Sequence, residues 1–354
     1  MNTLKKESTY NPIVTEYHES SAFDTLAQQW NQLTALSFTN TPFLTWQWQK
    51  IWWSYGSKDR SLRIITVSDE NGNLCGIAPL YSEEKNGAEK LMLLGSTDLC
   101  DYLDFIVVRG KEKHFYHTLL SYLVKTATKQ TTLCLNSLKQ HSPTLSFFKE
   151  IANHKGYVLD IEVEDTAPSL NLPGNFESYL KGLTKKDRHE IRRKMRRAEK
   201  EGTIAFKKID QPSRVMDTMP HFLDLFCKSM DKKGEFLNSE REGFFLTMAE
   251  ELSKTGWLEL FALLLDEKEI AYLLWFNYHD TLYLYNSAYD PDYSSISPGI
   301  VVITCCLKDA INRGIKRFDF LRGNEAYKYH FGAKDHILNT LTLRLPGEKN
   351  LCIE

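Results

Sequence analysis

LYLYNSAYDPDYSSISPGIVVITCCLKDAINRGIKRFDFLRGNEAYKYHFGA, residues 282–333, is the stretch whose reading decides the fold. An aromatic, β-favouring run over 281–288 passes through a loop of Tyr, Asp, Pro and Ser and then commits to a helix. Ser297 suits the N-cap, Pro298 the first helical position and Gly314 the position just past the end. Between them Ile300, Val301, Val302, Ile303, Cys305, Cys306, Leu307, Ala310 and Ile311 leave almost no polar face, so the spacing predicts a buried helix. A strand over 316–320 is expected next.

A strand, a loop and a buried helix with Gly299 in its first turn place free backbone amides at a crevice, an arrangement that suits a pyrophosphate. Asp319 and Arg322 end the next strand, and Glu325, Tyr327, Lys328 and Tyr329 follow it. Ionisable groups therefore gather beside the crevice, which is expected to be a ligand site. The plainer alternative is an ordinary Ser-Pro helix start, with Asp319 and Arg322 as a structural ion pair.

At 354 residues the chain is long for one core, so two domains are expected. A hydrophobic fraction of 42% and a charged fraction of 25% are those of an ordinary soluble globular protein. The net charge of -2 makes no global case for nucleic acid, so any electrostatic recognition must come from local patches. The opening MNTLKKESTYNPIVTEYHES, residues 1–20, has no apolar run of signal-peptide length, and no later run approaches a membrane span. A cytoplasmic protein without a transmembrane segment is expected. Seven cysteines, at 75, 100, 134, 227, 305, 306 and 352, form no C-x-x-C pair, which fits reduced thiols better than disulfides or zinc. Ten histidines show no H-x-x-x-H spacing, and no metal is expected.

From the N-terminal side, Phe23, Leu26, Trp30 and Leu33 mark a helix over 22–35, and Trp46, Trp48, Trp52 and Trp53 fall on a second over 44–55. The tryptophan stripe reads as packing. A hairpin over 62–68 and 74–81 turns at Asn71-Gly72. Strands over 90–94 and 102–108, a helix over 113–127, a strand over 132–136, a helix over 142–154 and a strand over 157–163 complete this half. APSLNLP, residues 167–173, reads as the boundary.

Beyond it a short helix over 176–181 precedes TKKDRHEIRRKMRRAEK, residues 184–200, where from 185 onward nine basic residues meet three acidic ones. On a helix this is a positive rod with a thin apolar stripe of Ile191, Met195 and Ala198. Three readings fit it: a solvated face, a clamp on phosphates, or a surface patch for RNA or anionic lipid. A strand over 203–208, helices over 212–230 and 239–255, and β-rich runs over 257–265, 269–278 and 281–288 lead back to the opening stretch. A final strand over 337–345 closes the second half.

Both halves run as helices, a hairpin, a strand, a helix, a strand, a helix and a last strand. A duplicated α/β (α+β) unit is expected, each copy a mixed twisted sheet flanked by helices, over 1–168 and 169–354, with a ligand cleft along the junction. The order of elements in 257–345 resembles the GNAT acetyltransferase fold. The wording FLTWQW, GIAPLY, DYLDFIV, KKDRHEIRRKMRR, YNSAYDP, SPGIV and DFLRGNEAYKYHFGA is similar to that of the Fem-related, CelD-like acetyltransferases, over about residues 20–345.

The resemblance implies two tandem GNAT-like domains and transfer of an acyl group, most simply acetyl, from acyl-CoA to an amine, with a saccharide or a cell-envelope precursor as candidate acceptors. It puts the coenzyme A pyrophosphate on Ser297, Pro298, Gly299 and Ile300, and the thioester between splayed strands over 281–288 and 316–320. The usual Arg/Gln-x-x-Gly-x-Gly/Ala pattern is replaced by YSSISPGI, with one glycine and a proline. Fem-type relatives take the acyl group from aminoacyl-tRNA instead, and the basic rod suits either donor. In the transferase reading Asp319 or Glu325 accepts the amine's proton and Tyr327 protonates the leaving thiolate. Arg322 and Lys328 hold an anionic part of a substrate, and Asp101, Tyr102 and Asp104 read the acceptor. The competing class is a non-catalytic protein that binds a nucleotide-linked saccharide or a partner in polysaccharide assembly.

Overall fold

The computed structural model describes residues 13–346 apart from 129 and 230. The N-terminal reading therefore falls largely on residues outside the described ones, as does Cys352; the other six cysteines are free thiols. Among the described residues no helix is long and apolar enough to cross a membrane. There are two compact units, one holding the described residues up to Glu164 together with those from Leu338, the other spanning Asp165–Ile337.

The first unit opens with β1 (Ile13–Tyr17), α1 (Ser21–Leu36) and α2 (Trp46–Gly56). Trp48, Trp52 and Trp53 of the tryptophan stripe are core, as its spacing suggested, while Trp46 is half-buried and donates to the Phe23 carbonyl at 2.6 Å. Trp30 donates to the Leu44 carbonyl at 2.9 Å, Trp48 to the Cys100 sulfur at 3.1 Å and Trp52 to the Ser96 hydroxyl at 3.3 Å. Then come β2 (Ser61–Ser68), β3 (Leu74–Lys85), β4 (Ala88–Leu93), β5 (Ile106–Val107), α3 (Glu112–Thr126), β6 (Thr131–Lys139), α4 (Pro143–Lys155) and β7 (Leu159–Thr166).

β4 and β6 are parallel and pair only as far as Met92 and Cys134. Past that point the loop after β4 fills the gap: the Leu103 amide donates to the Ser137 carbonyl of β6 at 3.2 Å. Leu103 also presses on Gly95, where a Cβ would lie 2.5 Å from the leucine side chain and φ is +141°. This is why little of the strand expected over 102–108 forms: its first residues plug the gap. Tyr102, expected to read an acceptor, is buried, with the Lys139 ammonium 3.7 Å from its ring centre. Asp104 is buried too, and its carboxylate accepts from the Ser142 and Thr144 hydroxyls, both at 2.5 Å, and from the Phe105 amide at 2.8 Å. It holds the start of α4 rather than a ligand; Asp101 is half-buried beside it.

The second unit comprises β8 (Ser169–Asn171), α5 (Phe176–Gly182), α6 (Lys185–Glu201), β9 (Ile204–Ile209), α7 (Pro212–Ser229), α8 (Asp231–Phe236), α9 (Ser239–Lys254), β10 (Leu258–Leu265), β11 (Lys268–Tyr278), β12 (Thr281–Tyr289), α10 (Pro298–Asn312), β13 (Arg317–Asp319) and α11 (Ala326–His330). Its sheet order is β8-β13-β12-β11-β10-β9. α10 is buried through Val301, Val302, Cys306, Leu307 and Ala310, as its composition predicts, in one core with Ile191 and Ala198 of α6 and Leu273 and Trp275 of β11. On the aromatic side, Phe222 of α7 meets Tyr272, and Phe245 of α9 meets Tyr285.

The last strand, β14 (Ile337–Arg344), pairs with β6 and lies beside β7, giving the first unit the order β1-β2-β3-β4-β6-β14-β7 with β5 on β3. The sequence reading left this strand in the second half. Its alternating Leu338, Leu341 and Leu343 say that one face is buried, but not against which sheet.

Burial pushes the Asp104 carboxyl up to about 6, against the pull of its three donors. Asp104→Ala leaves those donors buried without an acceptor and is expected to lower the stability of the first unit by about 3 kcal/mol in denaturant unfolding. Relative to Asp104→Asn, which cannot titrate, the unaltered protein is expected to lose stability as pH rises from about 4 through 6, because the folded carboxyl binds its proton more tightly than the unfolded one. Parallel pH profiles for the two proteins would refute this.

Candidate functional site

The parallel pairing of β12 with β13 covers three residue pairs, Thr281↔Arg317, Leu282↔Phe318 and Tyr283↔Asp319. β12 then runs on to Tyr289 while β13 stops, so the two strands part, and past Tyr283 no strand among the described residues pairs with β12 on that side. On its other side β12 carries a bulge: Asn286 faces Leu274 and Leu284 faces Trp275, leaving Tyr285 as the extra residue. A bulge re-aims backbone groups and sharpens the local twist where the strands separate.

The loop after β13 is held open from behind. Asp319, almost fully buried, accepts the Leu321 amide at 2.9 Å, and Leu321 itself turns through a left-handed conformation, φ +58°. Lys328, on α11 and only 2% exposed, donates to the carbonyls of Leu321, Arg322 and Gly323 at 3.2, 2.7 and 3.0 Å. It also pairs with Glu325 at 2.8 Å. Arg322 stands 3.6 Å from Asp165. Arg322 and Lys328 are expected from the sequence to bind substrate; in the structure Lys328 serves the loop itself, because a buried ammonium must find oxygen acceptors and the nearest are backbone, while Arg322 faces the Asp165 carboxylate. Glu325, by contrast, is 57% exposed at its side chain. Tyr327 packs edge-on against Phe320 at 6.1 Å between centroids, and burial pushes its phenol well above the ordinary value.

At the start of α10, Ser297 adopts a left-handed conformation, φ +56°, and makes no side-chain cap. Its carbonyl accepts the amides of Ile300 at 3.0 Å and Val301 at 3.2 Å, and Pro298 has no N–H. The expected cradle of Ser297, Pro298, Gly299 and Ile300 thus offers one remaining amide, that of Gly299. The space before it is open, since a Cβ on Gly299 would meet no atom within 4 Å.

α6 packs against α10 and against the turn over 291–296 that leads into it. Its cations are partly paired, Arg193 with Glu190 at 2.7 Å and Arg192 with Glu177 at 3.3 Å. Arg192 and Arg196 also line a groove of about 810 Å³ floored by Leu180, Met195, Phe206 and Cys305.

One group at the parting went unread in the sequence. Lys233, on α8, donates to the Ser287 carbonyl on the unpaired stretch of β12 and lies 4.8 Å from the Phe226 ring centre. Burial pushes its amine down to about 8, partly offset by the nearby Glu325 carboxylate. No spacing rule marks a lysine in a helix connection, so only the fold could reveal it.

Residues 185–329 match the family model described as an acetyltransferase (GNAT) domain. Among solved structures the chain is similar to FemX, with a TM-score of 0.64 at 12% identity over 92% of this chain and 96% of that one. It is similar also to a conserved protein of unknown function from Bacteroides thetaiotaomicron, TM-score 0.58 at 12% identity over 94% and 100%. L-PGS from Bacillus licheniformis gives a TM-score of 0.53 at 11% identity over 92% and 93%. At such identities the likeness is one of fold. No curated protein matches the sequence.

Two outcomes are expected. Lys328→Met, which strips three loop carbonyls and Glu325 of their cation, is expected to destabilise the second unit by about 3 kcal/mol in denaturant unfolding; a change within 0.5 kcal/mol would show that the loop does not need the clasp. At pH 8, where an amine with a pKa of about 8 is half neutral, a small acid anhydride is expected to label Lys233 well ahead of surface lysines, of which about 0.4% are neutral. Peptide mass spectrometry reads the order of labelling, and labelling of Lys233 no faster than the rest would contradict its depressed basicity.

Proposed function

Since residues 185–329 form a GNAT domain in a chain of Fem-like fold, we propose that the protein is an N-acyltransferase that moves an acyl group, most simply acetyl, from an acyl-CoA thioester to an amine. The observation that carries this reading is the parting of β12 and β13 past Tyr283 and Asp319, with Glu325 exposed on the loop beyond. A thioester laid along the unpaired edge of β12 would meet backbone donors and acceptors, and its carbonyl would sit by the bulge at Tyr285.

The incoming amine arrives protonated and must lose a proton before it attacks. Glu325 suits that task better than Asp319, which is buried and already accepts the Leu321 amide. The nitrogen then bonds to the carbonyl carbon, the C–S bond breaks, and the thiolate leaves. Tyr327 keeps its proton throughout the working range. A phenol so weakly acidic does not surrender that proton to a thiolate whose own pKa is about 8.5, so its part is to donate a hydrogen bond; the ammonium's first proton passes through Glu325 to solvent, and the second, shed by the nitrogen as the C–N bond is made, goes to the thiolate.

The lone Gly299 amide is a thin cradle for a diphosphate, and the cations of α6 beside α10 supply what it lacks. The same cations suit the aminoacyl-tRNA donor of Fem-type relatives, where the amine would attack an ester carbonyl and the ribose hydroxyl, rather than a thiol, would leave. Free acyl-CoA separates the two donors. With acetyl-CoA and a panel of amino acids, amino sugars and simple amines, the protein is expected to release free thiol, and Glu325→Gln to lower turnover about 100-fold. Acyl-CoA is also expected to raise the melting temperature. Neither thiol release nor stabilisation by any acyl-CoA would overturn the thioester reading.

A further inference from the structure

Lys233 stands at the parting with an incomplete set of contacts. An ammonium has three donors, and among the described residues the Ser287 carbonyl is the only oxygen that takes a hydrogen bond from it. Its surroundings are aromatic: Phe226 lies beneath it, Phe236 and Phe245 pack on Phe226 at 6.5 and 6.1 Å, and Tyr285 packs on Phe245 at 5.8 Å. A cation in such a setting is short of solvent and short of acceptors, which makes it a strong site for an anion. The Glu325 carboxylate, on the loop after β13, is near enough to strengthen the hold of Lys233 on its proton.

The two charges differ in kind. Lys233 comes from the connection between α7 and α9, and Glu325 from the far side, where it already shares Lys328 with the loop yet stays more than half exposed. A simple amine would use Glu325 and leave Lys233 unmet. A simple carboxylate would do the reverse. Resting on the acyltransferase reading above, we propose that the acceptor is a zwitterion of the amino-acid class, with its carboxylate on Lys233 and its ammonium on Glu325.

Lys233 still carries its charge at neutral pH, and a bound carboxylate strengthens its hold on the proton. Docking the carboxylate there brings the ammonium to the residue that must deprotonate it, so recognition and activation are served by one pose. The chemistry balances: the ammonium loses one proton through Glu325 to solvent, the neutral nitrogen bonds to the carbonyl carbon and sheds a second proton, the C–S bond breaks, and the thiolate leaves with that second proton.

The test compares free amino acids with their decarboxylated counterparts, such as phenylalanine with phenethylamine and lysine with cadaverine, using acetyl-CoA as donor and thiol release as readout. At least one amino acid is expected to exceed its counterpart in kcat/KM by about 10-fold or more. Lys233→Met is expected to raise KM for that amino acid by a similar factor with kcat little changed, and to leave the decarboxylated amine unaffected; Lys233→Arg is expected to restore part of the loss. Equal use of amines with and without the carboxylate, or an unchanged KM in Lys233→Met, would overturn the proposal while leaving the transferase reading in place. Should no acceptor turn over, equilibrium dialysis of the same amino acids decides the matter: binding that Lys233→Met abolishes supports the zwitterion site without the transferase, and absence of binding refutes it.

Discussion

Two parallel strands that share only three residue pairs determine what the second unit can do. Had β12 and β13 stayed together, the amides and carbonyls facing each other between them would be paired and no opening would form there. They separate because β13 ends at Asp319 and the chain is folded sharply away, and it stays away because the Lys328 ammonium gathers three successive carbonyls of the loop. A buried cation is an expensive device for shaping a loop, and it works only when its donors are all met. Here the same lysine reaches Glu325 as well, so the clasp and the exposed carboxylate are mechanically tied.

The first unit shows what happens to such a gap without a clasp. β4 and β6 also part early, but Leu103 and its neighbours fall into the space, and Gly95 has no room for any side chain opposite them. Asp104 then locks the loop onto the start of α4 through two hydroxyls and an amide. The two units carry related geometry turned to different ends, one to an opening and the other to packing.

Much of this was legible in the sequence. Helical spacing located the tryptophan core, and nearly continuous apolar or β-favouring runs located α10 and the three adjacent strands β10, β11 and β12, since elements buried almost throughout leave few polar positions. The parting of β12 and β13 followed from the family resemblance rather than from any pattern of residues. What stayed hidden depends on contacts between distant positions. Lys328 reads like any charged residue of a loop, and nothing near it in the chain says that three carbonyls will surround it. Ser297 and Pro298 announce a helix start correctly, yet the left-handed turn at Ser297 that uses up the next amides has no local signature. Lys233 matters only because α8 brings it to Ser287, a carbonyl 54 positions away. Asp104 reads in the sequence as a residue facing the acceptor because its partners, Ser142 and Thr144, lie far along the chain.

β14 completes the first unit's sheet although it follows the whole of the second unit in the chain. During synthesis on the ribosome, the first unit must therefore wait, with the edges of β6 and β7 uncovered, until the intervening 173 residues of Asp165–Ile337 have emerged. The inserted unit has all of its own strands by then and is free to fold first. Nascent chains stalled before residue 338 should consequently show a folded interior segment and an unfinished beginning, reversing the usual order in which translation hands domains to the cell.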